Sequence, residues 1–468
     1  MDNPGTDHVV DAALVRARAA QEQAATWPQH RVDDVVAAVG WWCYRADNVR
    51  AMSATAHRGT GLGDPEDLFA LHRRRVLGTL RDMHGARTVG VLEADPALGL
   101  RVLAKPVGVV ALVSPATAPC SAVVCTTLQL LKTRNAVVCC PNPAAQDAVA
   151  HAVALIRAAL VEVGAPPDLV QRVGPSGRPL AEALMSAADL VVVSGGAATV
   201  RRAYASGTPA IGAGVGNPTV VVDETADLAA AAERIVTGST FNNGTSCSSE
   251  SNVLVAAAVA AEFRAELRER GVHLCDPDET ARLRRVLWPD GTRLDRSAIG
   301  RPAAALAERA GIEPADPDKT TSLVAVLDQV DPADPLLGEK LSPVFTLVTY
   351  QDFDQAVAAV DAITRACGSG HSCGIHTTRA DRVAALAERV GVARVMVNQS
   401  TGSGNSGSFD NGLPFTSIVA SGSWGGCAQS ENVTWRHFMN RTTVSHPIPE
   451  RRPDEETVFG VHWDRHGV

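Results

Sequence analysis

The chain has 468 residues, of which 46% are hydrophobic and only 4% aromatic, so its cores are expected to consist of Ala, Val and Leu. This length predicts two or three domains, and a formal net charge of −8 argues against nucleic acid as a partner. The chain has no apolar run typical of a signal peptide or membrane span and no regular spacing of its ten cysteines, which predicts a cytoplasmic protein with reduced thiols and no membrane partner.

The hydrophobic pattern changes twice along the chain. Residues 8–85 predict helices, because apolar side chains recur every three or four positions. Two runs typical of β-strands then flank the turn signal ADPALG, and a third follows Pro106. Strand-like and helical segments alternate from there, and a second alternating block begins near NPTVVVDETAD, which predicts parallel sheets with helical crossovers. Segment 276–340, rich in Pro and Asp, is interpreted as irregular.

The sequence FNNGTSCSSE, residues 241–250, surrounds Cys247 with Asn, Gly, Ser and Thr. Structural cysteines usually lie among apolar side chains, whereas a reactive cysteine needs polar groups or cations that favour the thiolate. Small neighbours also let a substrate approach and let backbone amides face a developing charge. Cys247 is therefore a candidate nucleophile.

Two further segments are typical of nucleotide binding. VVVSGGAATV, residues 191–200, predicts a strand that ends in Ser-Gly-Gly before a helix, where a phosphate can bind. It lacks the full G-x-G-x-x-G pattern, so an ordinary tight turn remains the alternative. Glu339 precedes a predicted strand, where its carboxylate can reach a ribose hydroxyl; a solvated loop charge is the alternative.

The segment HSCGIH offers three potential zinc ligands, His371, Cys373 and His376. A structural zinc site needs four ligands, and the spacing supplies no obvious fourth. We therefore expect no metal site.

Taken in order, these segments resemble the aldehyde dehydrogenase superfamily, in particular its CoA-acylating branch. That branch includes acylating sulfoacetaldehyde dehydrogenases, CoA-linked succinate-semialdehyde dehydrogenases and the aldehyde half of bifunctional aldehyde–alcohol dehydrogenases. The resemblance covers roughly residues 8–460, and the segments that carry it are KPVGVVALVSPAT, LKTRNAVVCCPNP, VVVSGGAATVRRAYASGTPAIGAGVGNPTVVVDETAD, FNNGTSCSSE, EKLSPVF, GSGHSCGIHT, GSFDNGLPF and SGSWGG.

The resemblance implies an α/β protein with the aldehyde dehydrogenase fold. A Rossmann-like cofactor-binding domain would occupy residues 1–218, with a hairpin arm at 88–105, and an α/β catalytic domain would occupy residues 219–415. Residues 416–468 would return to the cofactor-binding domain and complete a β oligomerisation arm with a strand near 433–445. A homodimer or homotetramer is expected.

The resemblance also assigns roles to individual residues. Cys247 would attack the aldehyde, hydride would pass to NAD or NADP, and a thioester would remain on the cysteine. His371 matches the histidine that the acylating branch carries for proton or thiol chemistry. The positions that match cofactor-binding residues are Ser114, Pro115, Ala116, Pro141, Asn142, Ser194, Gly195, Gly196, Gly214, Glu339 and Leu341.

Two departures from the family pattern bear on the chemistry. The glutamate that activates water in hydrolytic members is absent near Ala213 and Gly214, so CoA is expected to accept the acyl group. Ala118 replaces the asparagine whose amide helps to hold the oxyanion, and losing one such donor typically lowers kcat about 10²–10³-fold. Thr117 and Ser246 are the nearest candidates to replace it.

The resulting expectation is a reversible CoA-acylating oxidation of a small aldehyde with NAD or NADP. GSFDNGLPF and the C-terminal tail look most like the sulfoacetaldehyde and succinate-semialdehyde members, which favours an anionic aldehyde. Two alternatives remain: a hydrolytic dehydrogenase that makes the free acid, and a catalytically impaired, oligomer-forming paralogue, suggested by Ala118.

Overall fold

The computed structural model of the protein describes residues 4–466. Its strands form a five-stranded, a seven-stranded and a three-stranded sheet. The strands are β1 (Val91–Asp95), β2 (Leu100–Pro106), β3 (Val109–Val113), β4 (Ala136–Cys140), β5 (Val170–Arg172), β6 (Leu190–Ser194), β7 (Ala210–Ala213), β8 (Thr219–Val222), β9 (Asn252–Ala256), β10 (Val272–Cys275), β11 (Ser322–Leu327), β12 (Val344–Tyr350), β13 (Cys373–His376), β14 (Val395–Val397) and β15 (Met439–Ser445).

The helices surround these sheets. In chain order they are α1 (Pro4–Ala25), α2 (Gln29–Tyr44), α3 (Ala46–Thr60), α4 (Pro65–Met83), α5 (Pro119–Lys132), α6 (Gln146–Glu162), α7 (Arg178–Ala187), α8 (Ala197–Tyr204), α9 (Leu228–Thr240), α10 (Ala260–Glu269), α11 (Pro277–Leu287), α12 (Ala303–Ala310), α13 (Phe353–Ala366), α14 (Ala380–Arg389), α15 (Thr401–Gly404) and α16 (Glu455–His466).

The five-stranded sheet has the order β5-β4-β3-β6-β7, and all its pairings are parallel. Every residue of β3 and β4 is buried, as expected for strands covered by helices on both faces. Successive strands are added on one side of β3 and then on the other, so the order reverses between β3 and β6. Such a reversal leaves a crevice at the carboxyl ends of the two strands, where open α/β sheets bind ligands.

The seven-stranded sheet has the order β10-β11-β12-β9-β8-β13-β14 and is also parallel throughout. Residues 214–218 connect β7 of the first sheet to β8 of the second. This short connection brings the carboxyl edge of the first sheet close to the amino edge of the second.

The interpretation of segment 276–340 as irregular is wrong. It contains α11, α12 and β11. Asp276 caps α11 through a capping box, and Leu283 and Leu306 are buried in the core beside β11. The elements are only 6 to 11 residues long, so the Pro and Asp residues that start and stop them dominate the composition.

The three-stranded sheet forms where the sequence predicts an arm. β1 and β2 are an antiparallel hairpin, and β15 pairs with β2 from Met439 opposite Pro106 to Ser445 opposite Leu100. Most side chains of β1 and β15 are exposed to solvent in the single chain. A role of this sheet in oligomerisation stays a prediction.

One segment, Pro143–Glu162, is long and apolar enough to cross a membrane by length and composition alone. In the structure it is a short 3-10 turn followed by α6. One face of α6, including Ala152, Ile156 and Leu160, is buried in the core that surrounds the five-stranded sheet. Its hydropathy therefore has an explanation in the packing of this core.

Candidate active site

The loop that carries Cys247 is held in an unusual backbone conformation. Asn242 and Asn243 both have left-handed backbone angles, with φ of 53° and 52°, a conformation that Asn tolerates better than most residues. Asn242 Oδ1 accepts a hydrogen bond of 2.9 Å from the backbone of Asp64, which ties the loop to the start of α4. Opposite, Gly216 is needed because a Cβ there would lie 1.9 Å from the Cys247 carbonyl oxygen.

The thiol of Cys247 is protonated at neutral pH. Burial raises its pKa to about 11, and the negative charge of Glu339 adds to this effect. The guanidinium groups of Arg75 and Arg394 and a hydrogen bond from Ser248 act in the opposite direction. The cations expected beside a reactive cysteine are therefore present, but the loss of solvation outweighs them. Attack on an aldehyde requires the thiol proton to leave.

Four sites that the sequence singled out lie at one edge of the seven-stranded sheet. Cys247 precedes β9, Glu339 precedes β12, His371 precedes β13, and Gly214 precedes β8. These four strands are neighbours in the order β12-β9-β8-β13. Because parallel strands begin at the same edge, residues far apart in the sequence come together there.

A narrow cavity of about 10 Å³ lies between the Cys247 loop and the loop that carries Glu339 and Leu341. This volume holds about one water molecule. Glu250 also lines it; one carboxylate oxygen accepts a 2.6 Å hydrogen bond from the backbone of Thr401, and the other has no partner. Burial raises the pKa of Glu250 to about 7.

Glu339 is half-buried, so it is not the fully solvated loop charge of the alternative interpretation. Burial raises its pKa to about 7, while a backbone N–H from Gly216 and the charge of Lys340 oppose the shift. Lys340 is fully buried and donates to the backbone oxygen of Ser251 at 2.9 Å and to that of Gly338 at 3.0 Å. These hydrogen bonds hold the loop that carries Glu339 and Leu341 in place. The sequence analysis did not identify Lys340 as a site residue.

His371 begins a hydrogen-bonded chain that ends beside the candidate nucleophile. Its Nδ1 lies 2.9 Å from Ser372 Oγ, and Asn405 Nδ2 donates to that hydroxyl at 2.6 Å and to Ser248 Oγ at 3.3 Å. The second ring nitrogen, Nε2, has no partner. Burial lowers the pKa of His371 to about 3, and Arg394 adds to the shift. The ring is therefore neutral at physiological pH.

Eight residues that match cofactor-binding positions of the family precede Gly214 in the sequence, and they lie at the carboxyl edge of the five-stranded sheet. They follow or end three adjacent strands: Pro141 and Asn142 after β4, Ser114, Pro115 and Ala116 after β3, and Ser194, Gly195 and Gly196 at the end of β6. Gly214 follows β7, and Leu341, like Glu339, lies on the loop opposite, with a left-handed φ of 46°.

This edge has features that fit a dinucleotide. Ser114 Oγ is buried without a hydrogen-bond partner, in the crevice where the strand order reverses. A Cβ at Gly196 would meet no atom within 4 Å, so the turn before α8 is open toward the crevice. A phosphate there can accept hydrogen bonds from the first backbone N–H groups of α8.

Residues 4–444 match the aldehyde dehydrogenase family. The chain belongs to this family. It is 39% identical over 459 residues to the acylating sulfoacetaldehyde dehydrogenase of Cupriavidus necator, a match that covers 98% of this chain and 93% of the relative. It is 33% identical to the acetylating succinate-semialdehyde dehydrogenase of Clostridium kluyveri, covering 96% and 98%. The family resemblance inferred from the sequence motifs is confirmed.

Solved structures share the fold. An acetylating aldehyde dehydrogenase from Geobacillus thermoglucosidasius superposes with a TM-score of 0.92 at 28% identity, covering 96% of this chain and 99% of that one. A propionaldehyde dehydrogenase from Rhodopseudomonas palustris with bound propionyl-CoA has a TM-score of 0.82 at 26% identity, covering 95% and 97%. An engineered glycolyl-CoA reductase with bound NADP+ has a TM-score of 0.80 at 26% identity, covering 93% and 96%. The α/β fold expected from the sequence is confirmed.

The first departure from the aldehyde dehydrogenase pattern is the absence of a water-activating glutamate near Ala213 and Gly214. A Cβ at Gly214 would lie 2.7 Å from Ser421 Oγ and 3.6 Å from the backbone oxygen of Gly425, so a side chain here would require the serine hydroxyl to move. Ala213 beside it is buried at the end of β7. Neither residue supplies a carboxylate at this place.

The second departure lies at the start of α5. Ala118 is the N-cap of that helix and makes no side-chain capping bond. Its methyl group cannot donate a hydrogen bond to an oxyanion. Thr117 and Ser246, the candidates for replacing the missing amide, are both half-buried, and Ser246 Oγ already accepts a 3.1 Å bond from the backbone of Ser248.

The three residues of HSCGIH do not converge as a metal-binding group within residues 4–466. Potential ligand atoms of His273, Cys275 and Glu279 instead lie within 4.8 Å of one another, at the start of α11. His273 and Glu279 already share a 2.9 Å bond.

Proposed function

We propose that this aldehyde dehydrogenase is CoA-acylating and oxidises a short, negatively charged aldehyde to its acyl-CoA, reversibly, with NAD or NADP. The observation that carries the proposal is Gly214, where hydrolytic members of the family have a glutamate that activates water. Ser421 Oγ would lie 2.7 Å from a Cβ at this position, and glycine offers no carboxylate there. An acyl group on Cys247 therefore has no water-activating base at this place.

The first half of the reaction belongs to Cys247. The sulfur of Cys247 bonds to the aldehyde carbon, the thiol proton is transferred to the carbonyl oxygen, and this oxygen becomes the hydroxyl of a thiohemiacetal. A nicotinamide held at the cofactor positions would supply the acceptor for the hydride that this carbon releases. The carbon–oxygen double bond re-forms as the hydroxyl proton leaves, and a thioester remains on the cysteine. Ser114 and the turn at Gly195 and Gly196 would hold the cofactor.

The second half transfers the acyl group to CoA. The CoA thiol loses its proton, its sulfur attacks the thioester carbon, and the bond to Cys247 breaks as the cysteine leaves as a thiolate. His371 is the proposed acceptor of the CoA proton. It is neutral, and its Nε2 has no hydrogen-bond partner. Because its pKa is lowered to about 3, it would hold the proton only briefly.

The names of two relatives support the choice of substrate. Both sulfoacetaldehyde and succinate semialdehyde combine an aldehyde with a negatively charged end, and the relatives named for them are 39% and 33% identical to this chain. The domain limits 1–218, 219–415 and 416–468, and assembly into a homodimer or homotetramer, are part of the same proposal.

The test is a panel of short aldehydes assayed with and without CoA, against NAD and NADP. We expect acyl-CoA as the product and little turnover without CoA. Cys247→Ser is the control and should lose at least about 10³-fold in rate. Free acid as the only product, at the same rate with and without CoA, would show a hydrolytic dehydrogenase. Inactivity of the folded wild type toward every aldehyde would favour the impaired paralogue.

A further inference from the structure

Helix α4 carries three consecutive arginines whose surroundings differ. Arg73 stacks on the ring of Tyr44 at 4.2 Å. Arg74 donates to the backbone oxygen of Ser403 at 2.7 Å. Arg75 makes one long contact, from Nη1 to Ser121 Oγ at 3.5 Å, and its Nε is buried with no partner.

No carboxylate compensates the charge of Arg75 in the described part of the chain. The groups that act on it electrostatically are the thiols of Cys125 and Cys247, and burial lowers its pKa. An arginine does not lose its proton in a protein, so its charge persists under these conditions. Arg75 is half-buried. A charge that is partly withdrawn from water without a partner destabilises a protein, and an anion from solution that pairs with it would reduce this cost. The guanidinium also retains several unused N–H donors.

Other polar groups without partners lie next to Arg75. Thr79 follows it by one helical turn, and Ser417 lies on the segment after Phe415, which packs against α4 at Gly78. The hydroxyls of Thr79 and Ser417 are both buried without a hydrogen-bond partner, and both lie beside the Cys125 thiol. Ser121 and Cys125 are on adjacent turns of α5. Arg75, Thr79, Ser121 and Ser417 therefore form a polar cluster where α4 packs against α5.

This polar cluster reaches the residue that takes the place of the oxyanion asparagine. Arg75 contacts Ser121, whose hydroxyl donates to the backbone oxygen of Ala118 at 3.4 Å. The positive charge of Arg75 also acts on Cys247 and lowers the pKa of its thiol. Arg394 also acts on the thiol, but its two Nη groups donate to Asn432 Oδ1 and to the backbone oxygens of His371 and Ala420, and only its Nε lacks a partner. Arg75 therefore has more N–H groups available than Arg394.

We propose that Arg75, assisted by Thr79, Ser121 and Ser417, binds the anionic end of the aldehyde while Cys247 attacks its carbonyl carbon. The ligand class is a short aldehyde with a terminal carboxylate or sulfonate. The inference rests on the proposed function, since it assigns the substrate of that site. It makes Arg75 the residue that selects charged aldehydes over neutral ones.

The test compares selectivity among Arg75→Gln, Arg75→Lys and the wild type. kcat/KM is measured with CoA for sulfoacetaldehyde, succinate semialdehyde and neutral propanal. A charged hydrogen bond contributes about 1.5–3 kcal/mol, so Arg75→Gln should lower the ratio of anionic to neutral kcat/KM about 10- to 100-fold. Arg75→Lys should recover part of the ratio. Arg73→Gln, on the same helix, should leave the ratio unchanged.

The outcomes separate the possible roles of Arg75. An equal loss for all three aldehydes would mean that Arg75 stabilises the oxyanion or the thiolate, and an unchanged ratio would mean that it does not contact the substrate. Either result overturns the inference. The wild-type ratio of the two anionic aldehydes shows whether a sulfonate or a carboxylate is preferred.

A second measurement needs neither turnover nor CoA. Propane-1-sulfonate and butyrate carry the anionic end without an aldehyde, and they should slow alkylation of Cys247 by iodoacetamide in the wild type. 1-Propanol should not, and Arg75→Gln should abolish the protection. If the anions protect Cys247 but the protein makes no acyl-CoA, the proposed function is refuted and the anion-binding role of Arg75 stands. If neither anion protects Cys247 in a wild type that makes acyl-CoA, only the anion-binding role of Arg75 is refuted.

Discussion

At the scale of single residues, the thiol of Cys247 shows how burial and charge compete. Burial and Glu339 raise its pKa to about 11, against the influence of Arg75 and Arg394. A site of this kind suppresses side reactions of the free enzyme, because little of the cysteine is thiolate at neutral pH.

Alkylation measures this property directly. The rate at which iodoacetamide modifies Cys247 should rise steadily with pH and still be rising at pH 9, since the thiolate fraction grows toward a pKa of about 11. Peptide mapping by mass spectrometry identifies the modified cysteine, and Cys247→Ser provides the blank. An inflection between pH 7 and 8 would show a preformed thiolate and contradict the argument from burial.

Ala118 is the residue whose replacement tests the oxyanion site. Ala118→Asn should raise kcat, by up to about 10²–10³-fold, if the site lacks one donor. The affinity for the aldehyde should change less, because the oxyanion forms only during the reaction. Steady-state kinetics with saturating CoA measure both quantities. A large fall in kcat would mean that another group already occupies the space of the asparagine amide.

The sequence pointed to residues whose chemistry is visible in their neighbours, such as Cys247 in its polar loop. It could not indicate Arg75, because three consecutive arginines on a helix look like a solvated surface. Only the structure shows that Arg75 is half-buried, reaches Ser121 on α5 and has an Nε without a partner. The sequence could not indicate the buried position of Lys340 either, because its four hydrogen-bond acceptors include the backbone oxygen of Ser251, which is remote in sequence.

At the scale of elements, alternating hydrophobic periods predicted the parallel sheets well. Buried strands such as β3 and β4 are continuous apolar runs, and the helices between them repeat apolar positions regularly. The hydrophobic pattern did not predict the helices and the strand in segment 276–340, where α12 has only eight residues. Two turns of helix contain too few apolar positions to establish a period.

The arm sheet leads to a prediction about assembly. β15 lies at the edge of this sheet, with most of its side chains exposed, and such edges readily pair with another chain. Removal of residues 440–468 should therefore convert a dimer or tetramer into monomers, as measured by light scattering. Val444→Glu, which keeps the full chain length, should weaken assembly in the same direction. A wild type that is monomeric at micromolar concentration would contradict the role of the arm.

At the scale of the whole molecule, the two parallel sheets contribute opposite edges to one site. The cofactor positions lie at carboxyl ends of strands in the five-stranded sheet, whereas Cys247, Glu339 and His371 precede strands of the seven-stranded sheet. The connection 214–218 spans the two edges, and it includes Gly214 and Gly216. The segment that joins the sheets therefore has no carboxylate at position 214, and Gly216 allows the backbone of Cys247 to approach closely.

This arrangement predicts the time course of a single turnover. Each chain contains both edges, so mixing the enzyme with aldehyde and NAD or NADP, without CoA, should release about one equivalent of reduced cofactor per chain in a burst. A slow steady rate should follow, because no base near Gly214 activates water. Adding CoA should raise the steady rate, since a thiolate is a far stronger nucleophile than water.

The burst also isolates the role of His371. His371→Ala should slow the CoA-dependent steady rate by about 10-fold or more, while the burst changes less, because the histidine is proposed to act only after the thioester has formed. His30→Ala, at an exposed position, is the control and should change neither phase. Stopped-flow absorbance of the reduced cofactor resolves the two phases. Equal slowing of both by His371→Ala would place its effect before the thioester, on Cys247 through the chain of Ser372, Asn405 and Ser248.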